Sequence, residues 1–133
     1  MITRKKVLVV DDDDTIRKAL VLRLRHSGFE VVTAEDGLQG LEAARREQPD
    51  VMVLDLKLPQ MRGEEVCKAI REDRDKRFAA VPIIMLTGKT SDVDRVIGMV
   101  IGASCYITKP FRAEQLVREI RKYAAEGSHV RSD

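Results

Sequence analysis

The chain has 133 residues, of which 44% are hydrophobic and 35% are charged. This length suits one domain with a single core and is too short for two ordinary domains. No apolar run approaches the roughly 20 residues that cross a bilayer, so we expect no membrane association. The formal net charge of +2 comes from interleaved basic and acidic residues, so we expect no direct contact with nucleic acid.

The N-terminus and the cysteines indicate the cellular compartment. The basic start of the chain passes into a short apolar run and has no small-residue cleavage site behind it, unlike a secretory signal. Cys67 and Cys105 lie far apart, outside any CxxC pattern, which favours buried thiols over a disulfide or a zinc site. We therefore expect a cytoplasmic protein.

The first half of the chain alternates short apolar runs with helical patterns. A run over 6–10 precedes a helix predicted over 15–26, and Gly28 lies just beyond that helix as its left-handed terminator. A second run over 30–34 precedes a helix over 37–47. The apolar residues that we expect these two helices to bury are Ile16, Ala19, Leu20, Leu24, Leu38, Leu41 and Ala44.

The second half repeats this alternation, with further apolar runs over 51–54, 81–86 and 105–107. Helical spacing predicts a third helix beyond Gly63, a fourth over 91–101 and a fifth after Phe111. The third helix runs into the charged stretch 71–77, which we expect to be the helix end and an exposed, solvated loop.

Regular alternation of strands and helices predicts an α/β fold with a parallel sheet, right-handed crossovers and helices on both faces. We expect a three-layer α/β/α sandwich of five strands, with one domain over 1–125 and a short, polar, disordered tail over 126–133. In such folds ligands bind beyond the carboxyl ends of the strands, where the strand order reverses.

Polar residues follow four of the five predicted strands. Asp11 and Asp12 follow the first strand, Asp55 the third and Thr87 the fourth, and Lys109 comes soon after the fifth. Each residue alone has an ordinary explanation as a helix cap, a turn former or a surface lysine. Their shared position at one rim of a parallel sheet favours a joint function instead.

The chemistry of this rim suits a metal ion and a phosphoryl group. The carboxylates of Asp11, Asp12 and Asp55 would repel one another unless a cation neutralised them, and oxygen ligands select Mg²⁺ or, in its place, Mn²⁺. A carboxylate is a feasible nucleophile towards phosphorus, and a hydroxyl and an ammonium group would share the charge of the transferred group. We expect Asp13 and Asp14 to cap the following helix.

In combination, these motifs resemble those of the response-regulator receiver family over residues 5–124. Val-Val-Asp11-Asp12 is similar to the family's acidic pair, and 55–63 to its acceptor loop. Leu86-Thr87-Gly88 is similar to its switch hydroxyl, and 106–111 to its aromatic switch and phosphate-binding lysine. The resemblance implies a flavodoxin-like strand order, 2-1-3-4-5. It also implies a signalling switch that assists its own phosphorylation and dephosphorylation, and not an enzyme.

The resemblance further implies a role for each residue. Asp55 would be the phosphoacceptor, Asp12 a direct Mg²⁺ ligand and Asp11 a ligand through water. The backbone carbonyl of Lys57 would be a further ligand, and Lys109 would bind the phosphoryl group.

An output mechanism is also implied. Phosphorylation would draw Thr87 towards the phosphoryl oxygens and let Tyr106 turn inward, as a shift between existing states. The face of the fourth predicted helix, fifth strand and fifth helix would repack. A cis peptide would join Lys109 to Pro110.

The implied partners are a histidine kinase or phosphotransfer protein as donor, and a downstream protein or a second copy of the chain at the repacked face. The sequence leaves open which kinase serves the chain and what output it controls. It also leaves open the oligomeric state and whether the chain stands alone or belongs to a longer protein.

Two lysines raise a separate hypothesis about the lifetime of the phosphoryl group. Lys57 and Lys89 lie two residues beyond Asp55 and Thr87, at positions that in this family flank the path to the acyl phosphate. They would screen the phosphoryl oxygens or obstruct an attacking water. The alternative is two solvated lysines.

Two other functions share part of the pattern. Residues 11–15 also fit D-x-D-x-T of the haloacid-dehalogenase-like phosphatases, with Asp11 as nucleophile. Three features argue against that activity. A helical pattern starts at once after the acidic run, no acidic pair follows Lys109, and Asp55 would have no function in such an enzyme. A pseudo-receiver would use the same fold as a phosphorylation-independent interaction module, and the complete set of rim residues argues against it.

Overall fold

The computed structural model describes residues 4–88 and 102–132. Its five strands form one sheet in the order β2-β1-β3-β4-β5, and all four pairings are parallel. The strands are β1 (Lys6–Val10), β2 (Glu30–Ala34), β3 (Val51–Asp55), β4 (Ile83–Thr87) and β5 (Cys105–Thr108). The predicted fold class and strand order are confirmed.

The described helices are α1 (Asp14–His26), α2 (Gly37–Glu47), α3 (Gly63–Arg71), α4 (Lys76–Ala79) and α5 (Ala113–Ser132). The helix predicted over 91–101 lies outside the described residues, as does Lys89. The helical assignment of α5 extends to Ser132. The domain bounds 1–125 and the disordered tail over 126–133 stay predictions.

Side chains alternate across the sheet and form one core on each side, as expected for strands that are covered on both faces. Val7, Val9 and Val53 pack towards α1 and α5, together with Leu20 and Leu116. The opposite core joins the sheet to α2, α3 and α4, and its buried members include Leu8, Val10, Leu54, Leu41, Val66, Ile70 and Phe78. The three-layer architecture fixes the carboxyl ends of all five strands at one edge.

Two expected core residues are in fact exposed. Leu38 is 49% exposed, because the stripe that α2 buries begins with Gly37 and Gly40 and continues through Leu41. Glycines carry no apolar side chain, so the hydrophobic pattern did not mark Gly37 and Gly40 as buried. It assigned the neighbouring Leu38 to the core instead. Ala19 of α1 is also exposed, whereas its neighbour Arg17 is buried.

The charged stretch 71–77 contains the end of α3 and is mostly exposed, as predicted, but it also begins the short helix α4 and includes a half-buried arginine. Asp75 caps α4 by accepting hydrogen bonds from two backbone N–H groups, and this short helix buries Phe78. Arg71 is half-buried and donates to backbone carbonyls, namely those of Ala79 at 2.8 Å, Val81 at 2.7 Å and Gly102 at 2.8 Å. Three carbonyl acceptors explain how an arginine is accommodated there.

Candidate functional site

The sheet topology brings the predicted rim residues together. Asp11 directly follows β1, Asp55 ends β3 and Thr87 ends β4, while Lys109 directly follows β5. Strands β1 and β3 are neighbours and the chain proceeds in opposite directions from them, to β2 on one side and β4 on the other. This is the reversal point at which α/β sheets bind ligands.

Three carboxylates form a cluster at this point. One oxygen each from Asp11, Asp12 and Asp55 lies within 4.8 Å of the others. Asp11 is fully buried and Asp55 is 6% exposed, whereas Asp12 is exposed. The ammonium nitrogen of Lys109 lies 2.9 Å from Asp55 Oδ2 and 3.6 Å from Asp11 Oδ2. One lysine thus faces a cluster of three acidic groups.

In the acidic run 11–14, Asp13 and Asp14 make structural contacts within α1, whereas one carboxylate oxygen of Asp11 does not take part in a hydrogen bond among the described residues. Asp13 is the N-cap of α1 and accepts from the N–H groups of Thr15 and Ile16, which confirms the predicted cap. Asp14 pairs with Arg17. Asp11 Oδ1 accepts from the N–H of Asp13 at 2.9 Å, but Asp11 Oδ2 is buried and has no hydrogen-bond partner among the described residues.

Burial and charge shift the pKa of two groups in the cluster. Burial raises the pKa of Asp11, and the charges of Asp55 and Asp12 add to that rise. Burial alone would lower the pKa of Lys109, but the hydrogen bond and charge of Asp55 and the charge of Asp11 outweigh burial and raise it. Excess negative charge with an orphaned buried oxygen fits a hard divalent cation such as Mg²⁺.

The loop after Asp55 is fixed by close backbone packing. Asp55 Oδ1 accepts from the N–H of Lys57 at 3.2 Å, and the N–H of Gly63 donates to the carbonyl of Leu56 at 2.9 Å. A Cβ on Gly63 would lie 2.3 Å from the Asp55 carbonyl oxygen, closer than atoms approach. Glycine is therefore required where α3 begins.

The second glycine contact joins this loop to α2. A Cβ on Gly37 would lie 1.7 Å from the carbonyl oxygen of Met61, and the N–H of Gly37 donates to the carbonyl of Pro59. The acceptor loop is thus held from two helices.

The cluster opens into a cleft lined by Asp11, Asp12, Asp13, Ile16, Asp55, Lys57, Gly88 and Lys109. Thr87 does not line this cleft; it is 3% exposed and its carbonyl accepts from the N–H of Lys109 at 2.6 Å. Sequence reasoning missed Ile16 and Gly88 as lining residues, although both adjoin predicted site residues. The Lys109–Pro110 peptide is cis.

Tyr106 lies on β5, which β4 separates from Asp55 at the end of β3. It is half-buried and packs against the core beneath α2 and α3. The residue is therefore on the sheet face opposite to α1 and α5. The helix predicted over 91–101, which would share the output face with β5, lies outside the described residues.

A parallel sheet with this strand order and an acidic cluster at its reversal point defines an α/β domain of flavodoxin-like architecture. The family model for the response regulator receiver domain matches residues 7–121. The chain therefore belongs to the response regulator receiver domain family, whose members are signalling switches of two-component systems. This membership excludes the haloacid-dehalogenase-like alternative.

Curated relatives agree with this assignment. The chain is 45% identical over 118 residues to the DNA-binding response regulator MtrA of Mycobacterium leprae, covering 89% of the chain and 50% of that protein. It is 39% identical over 135 residues to the alkaline phosphatase synthesis transcriptional regulatory protein PhoP of Bacillus subtilis, covering 97% of the chain and 55% of the relative. The chain thus spans about half the length of these relatives.

Solved structures show the same fold. The chemotaxis response regulator CheY4 of Vibrio cholerae has a TM-score of 0.83 and 36% identity, covering 91% of this chain and 99% of that one. A CheY-like receiver domain protein of Methanospirillum hungatei has a TM-score of 0.87 and 30% identity, covering 96% and 98%. Within the described residues, no helix is both long and apolar enough to cross a membrane.

Proposed function

We propose that the chain is the phosphoacceptor of a two-component phosphorelay and takes a phosphoryl group onto Asp55. One observation carries this proposal: the buried Asp55 carboxylate contacts Lys109 at 2.9 Å and lies within 4.8 Å of the Asp11 and Asp12 carboxylates. Mg²⁺, or Mn²⁺ in its place, would be held by Asp12, Asp55 and the backbone carbonyl of Lys57, and by Asp11 through water. Bound there, the cation supplies positive charge to neutralise the oxygens of the transferring phosphoryl group.

The residues of the chain perform the remaining tasks. An oxygen of Asp55 attacks phosphorus, the new O–P bond forms, and the bond from phosphorus to the donor's nitrogen breaks. Lys109, whose ammonium is held beside Asp55, stabilises the negative charge on the phosphoryl oxygens. Asp11 and Asp12 orient the cation, and the turn at Lys57 fixes the acceptor carboxylate. The same groups assist hydrolysis of the acyl phosphate, so that the switch also resets itself.

Signal output follows from the added charge. Phosphorylation adds roughly 1.5 to 2 negative charges, which attract the hydroxyl of Thr87 towards the phosphoryl oxygens. Tyr106 then turns into the vacated space, and the face that includes β5 and α5 repacks to bind a downstream protein or a second copy of the chain. The donor is a histidine kinase or a phosphotransfer protein, and the chain receives the phosphoryl group in the cytoplasm.

The relation to DNA is indirect in this proposal. MtrA is named as a DNA-binding response regulator, but the chain matches only 50% of that protein. Basic and acidic residues are interleaved in the chain, and this pattern favours a protein partner over a phosphate backbone.

Lys57 and Lys89 set the phosphoryl lifetime in this account. Lys57 is exposed and lines the cleft beside Asp55, so an attacking water would pass near this residue. If neither Lys57→Ala nor Lys89→Ala, alone or combined, changes the dephosphorylation half-time, this part of the proposal fails and both are ordinary surface lysines.

Phosphorylation of the purified chain tests the main proposal. Wild type and Asp55→Asn are incubated with acetyl phosphate and Mg²⁺, and intact mass is followed. We expect one phosphoryl group on the wild type, dependent on Mg²⁺, and none on the variant. A wild type that stays unmodified, and that does not respond to beryllium fluoride, would instead support the phosphorylation-independent interaction module.

A further inference from the structure

Arg17 is a buried cation next to the acidic cluster and has no role in the proposed chemistry. It lies on the first turn of α1 and is 7% exposed. Its Nη1 donates to the backbone carbonyl of Asp11 at 2.7 Å. Its Nη2 pairs with the carboxylate of Asp14 and, at 3.3 Å, with that of Glu35. A guanidinium is costly to bury unless each contact is well made.

The hydrogen bond from Arg17 to the carbonyl of Asp11 is one of three contacts that hold Asp11 in place. The N–H of Asp11 donates to the carbonyl of Ala34 at 3.2 Å, and its Oδ1 accepts from the N–H of Asp13. With the carbonyl held by Arg17, the backbone on both sides of Asp11 and one carboxylate oxygen are fixed. The remaining oxygen, Oδ2, is held towards Asp55 and Lys109.

Arg17 acts on the carbonyl and not on the carboxylate. It therefore leaves Asp11 Oδ2 available to a cation. The carbonyl belongs to the peptide that joins Asp11 to Asp12, so rotation of this peptide would move both carboxylates. The planar fork of arginine reaches the carbonyl with one nitrogen and the two carboxylates with the other, which the single ammonium of lysine does not reproduce.

We propose that Arg17 is a positioning residue for the divalent cation: it locks the peptide between Asp11 and Asp12 so that their carboxylates converge with that of Asp55. The inference rests on the proposed function, because it concerns the same metal site. Outer contacts of this kind commonly change metal affinity about 10- to 100-fold. Glu35 lies at the end of β2, so the lock also ties α1 to the loop before α2.

The test is calorimetric titration of the purified chain with Mg²⁺ alone. We expect Arg17→Gln to raise the Mg²⁺ dissociation constant about 10-fold or more, and Arg17→Lys to recover only part of the affinity. Arg71→Gln is the matched control, because Arg71 also donates to backbone carbonyls but lies at the end of α3. It should lower the melting temperature and change the dissociation constant less than about twofold.

The outcomes separate the two proposals. If the wild type binds no Mg²⁺, the proposed function fails. If the wild type binds Mg²⁺ and Arg17→Gln binds it equally well, only the positioning role fails, and Arg17 is a structural residue like Arg71.

If Arg17→Gln does not fold, an NMR titration of the wild type with Mg²⁺ still tests the positioning role. The side-chain Nε–H resonance of Arg17 should shift on Mg²⁺ titration with the same midpoint as the backbone amide of Asp12, while that of Arg71 stays fixed. A stationary Arg17 resonance beside a shifting Asp12 amide would overturn the inference.

Discussion

Replacement of Asp11 by asparagine should stabilise the chain when no divalent cation is present. Asp11 is fully buried, and its Oδ2 has no hydrogen-bond partner in the described part of the chain. Asparagine keeps an acceptor for the N–H of Asp13, which lies 2.9 Å from Oδ1, and removes one negative charge from the cluster. Its amide N–H groups would also face the carboxylate of Asp55.

The magnitude follows from the distances. With an effective dielectric constant of about 20, the carboxylate of Asp55, which lies within 4.8 Å, repels Asp11 by about 3.5 kcal/mol or more. The ammonium of Lys109 at 3.6 Å attracts it by about 4.6 kcal/mol. The exposed carboxylate of Asp12 adds further repulsion, so the repulsion from the two aspartates offsets the attraction from Lys109. The unsatisfied buried oxygen remains, at a cost of about 1–3 kcal/mol, equivalent to roughly 4–12 °C in melting temperature for a chain of this size.

The pH dependence has a definite sign. The pKa of Asp11 is raised by burial and by the neighbouring carboxylates, so the protonated carboxyl favours the folded state. That stability is fully present below the unfolded pKa of about 4, and it is lost as pH rises through the folded pKa. The advantage of Asp11→Asn should therefore be small in acid and grow towards neutral pH.

Thermal unfolding in a chelating buffer measures this difference, with Asp13→Asn as the matched control. Asparagine caps helices about as well as aspartate, so the control should leave stability nearly unchanged. Added Mg²⁺ at 100 times its dissociation constant stabilises the wild type by about 2.7 kcal/mol and should stabilise Asp11→Asn far less. A less stable Asp11→Asn in chelator, or an advantage that does not change with pH, would refute the reasoning.

Three further predictions concern packing and charge. Gly63→Ala should destabilise the chain by about 1–3 kcal/mol in urea unfolding, whereas Gly88→Ala, whose Cβ would meet no atom within 4 Å, should be neutral; equal effects would contradict the packing account. Leu38→Ala should lower the unfolding free energy by under about 1 kcal/mol and Leu41→Ala by about 2–4 kcal/mol. The reverse order would show that Leu38, and not Leu41, is buried. Lys109→Gln should tighten Mg²⁺ binding in calorimetry, because it removes a cation from the metal's surroundings; weaker binding would contradict this.

The alternation of runs predicted the fold because β1, β3 and β4 are apolar almost throughout and the predicted helices have apolar residues at helical spacing. The bounds of α2, β1 and β2 agree with the prediction. The rim was also predictable, since parallel strands carry their carboxyl ends to one edge. The contact of Lys109 with Asp55 across 54 positions of sequence is a direct result of that topology.

The errors have physical causes that a hydrophobic pattern does not contain. Gly37 is buried because α2 approaches the backbone of Met61 too closely for any Cβ. Arg17 and Arg71 look like surface residues in sequence, yet both are substantially buried because backbone carbonyls accept from their guanidinium groups. The required acceptors come from residues distant in sequence or from loop backbone, so only the folded chain reveals them.

Chemical localisation of the phosphoryl group shows whether Asp55 is the phosphoacceptor. The chain is phosphorylated with acetyl phosphate and Mg²⁺, the acyl phosphate is reduced with borohydride, and the modified residue is identified by peptide mass spectrometry. We predict modification at Asp55 and loss of the signal when Mg²⁺ is chelated. Modification at Asp11 or Asp12 with an unmodified Asp55, or labelling that does not depend on Mg²⁺, would contradict it.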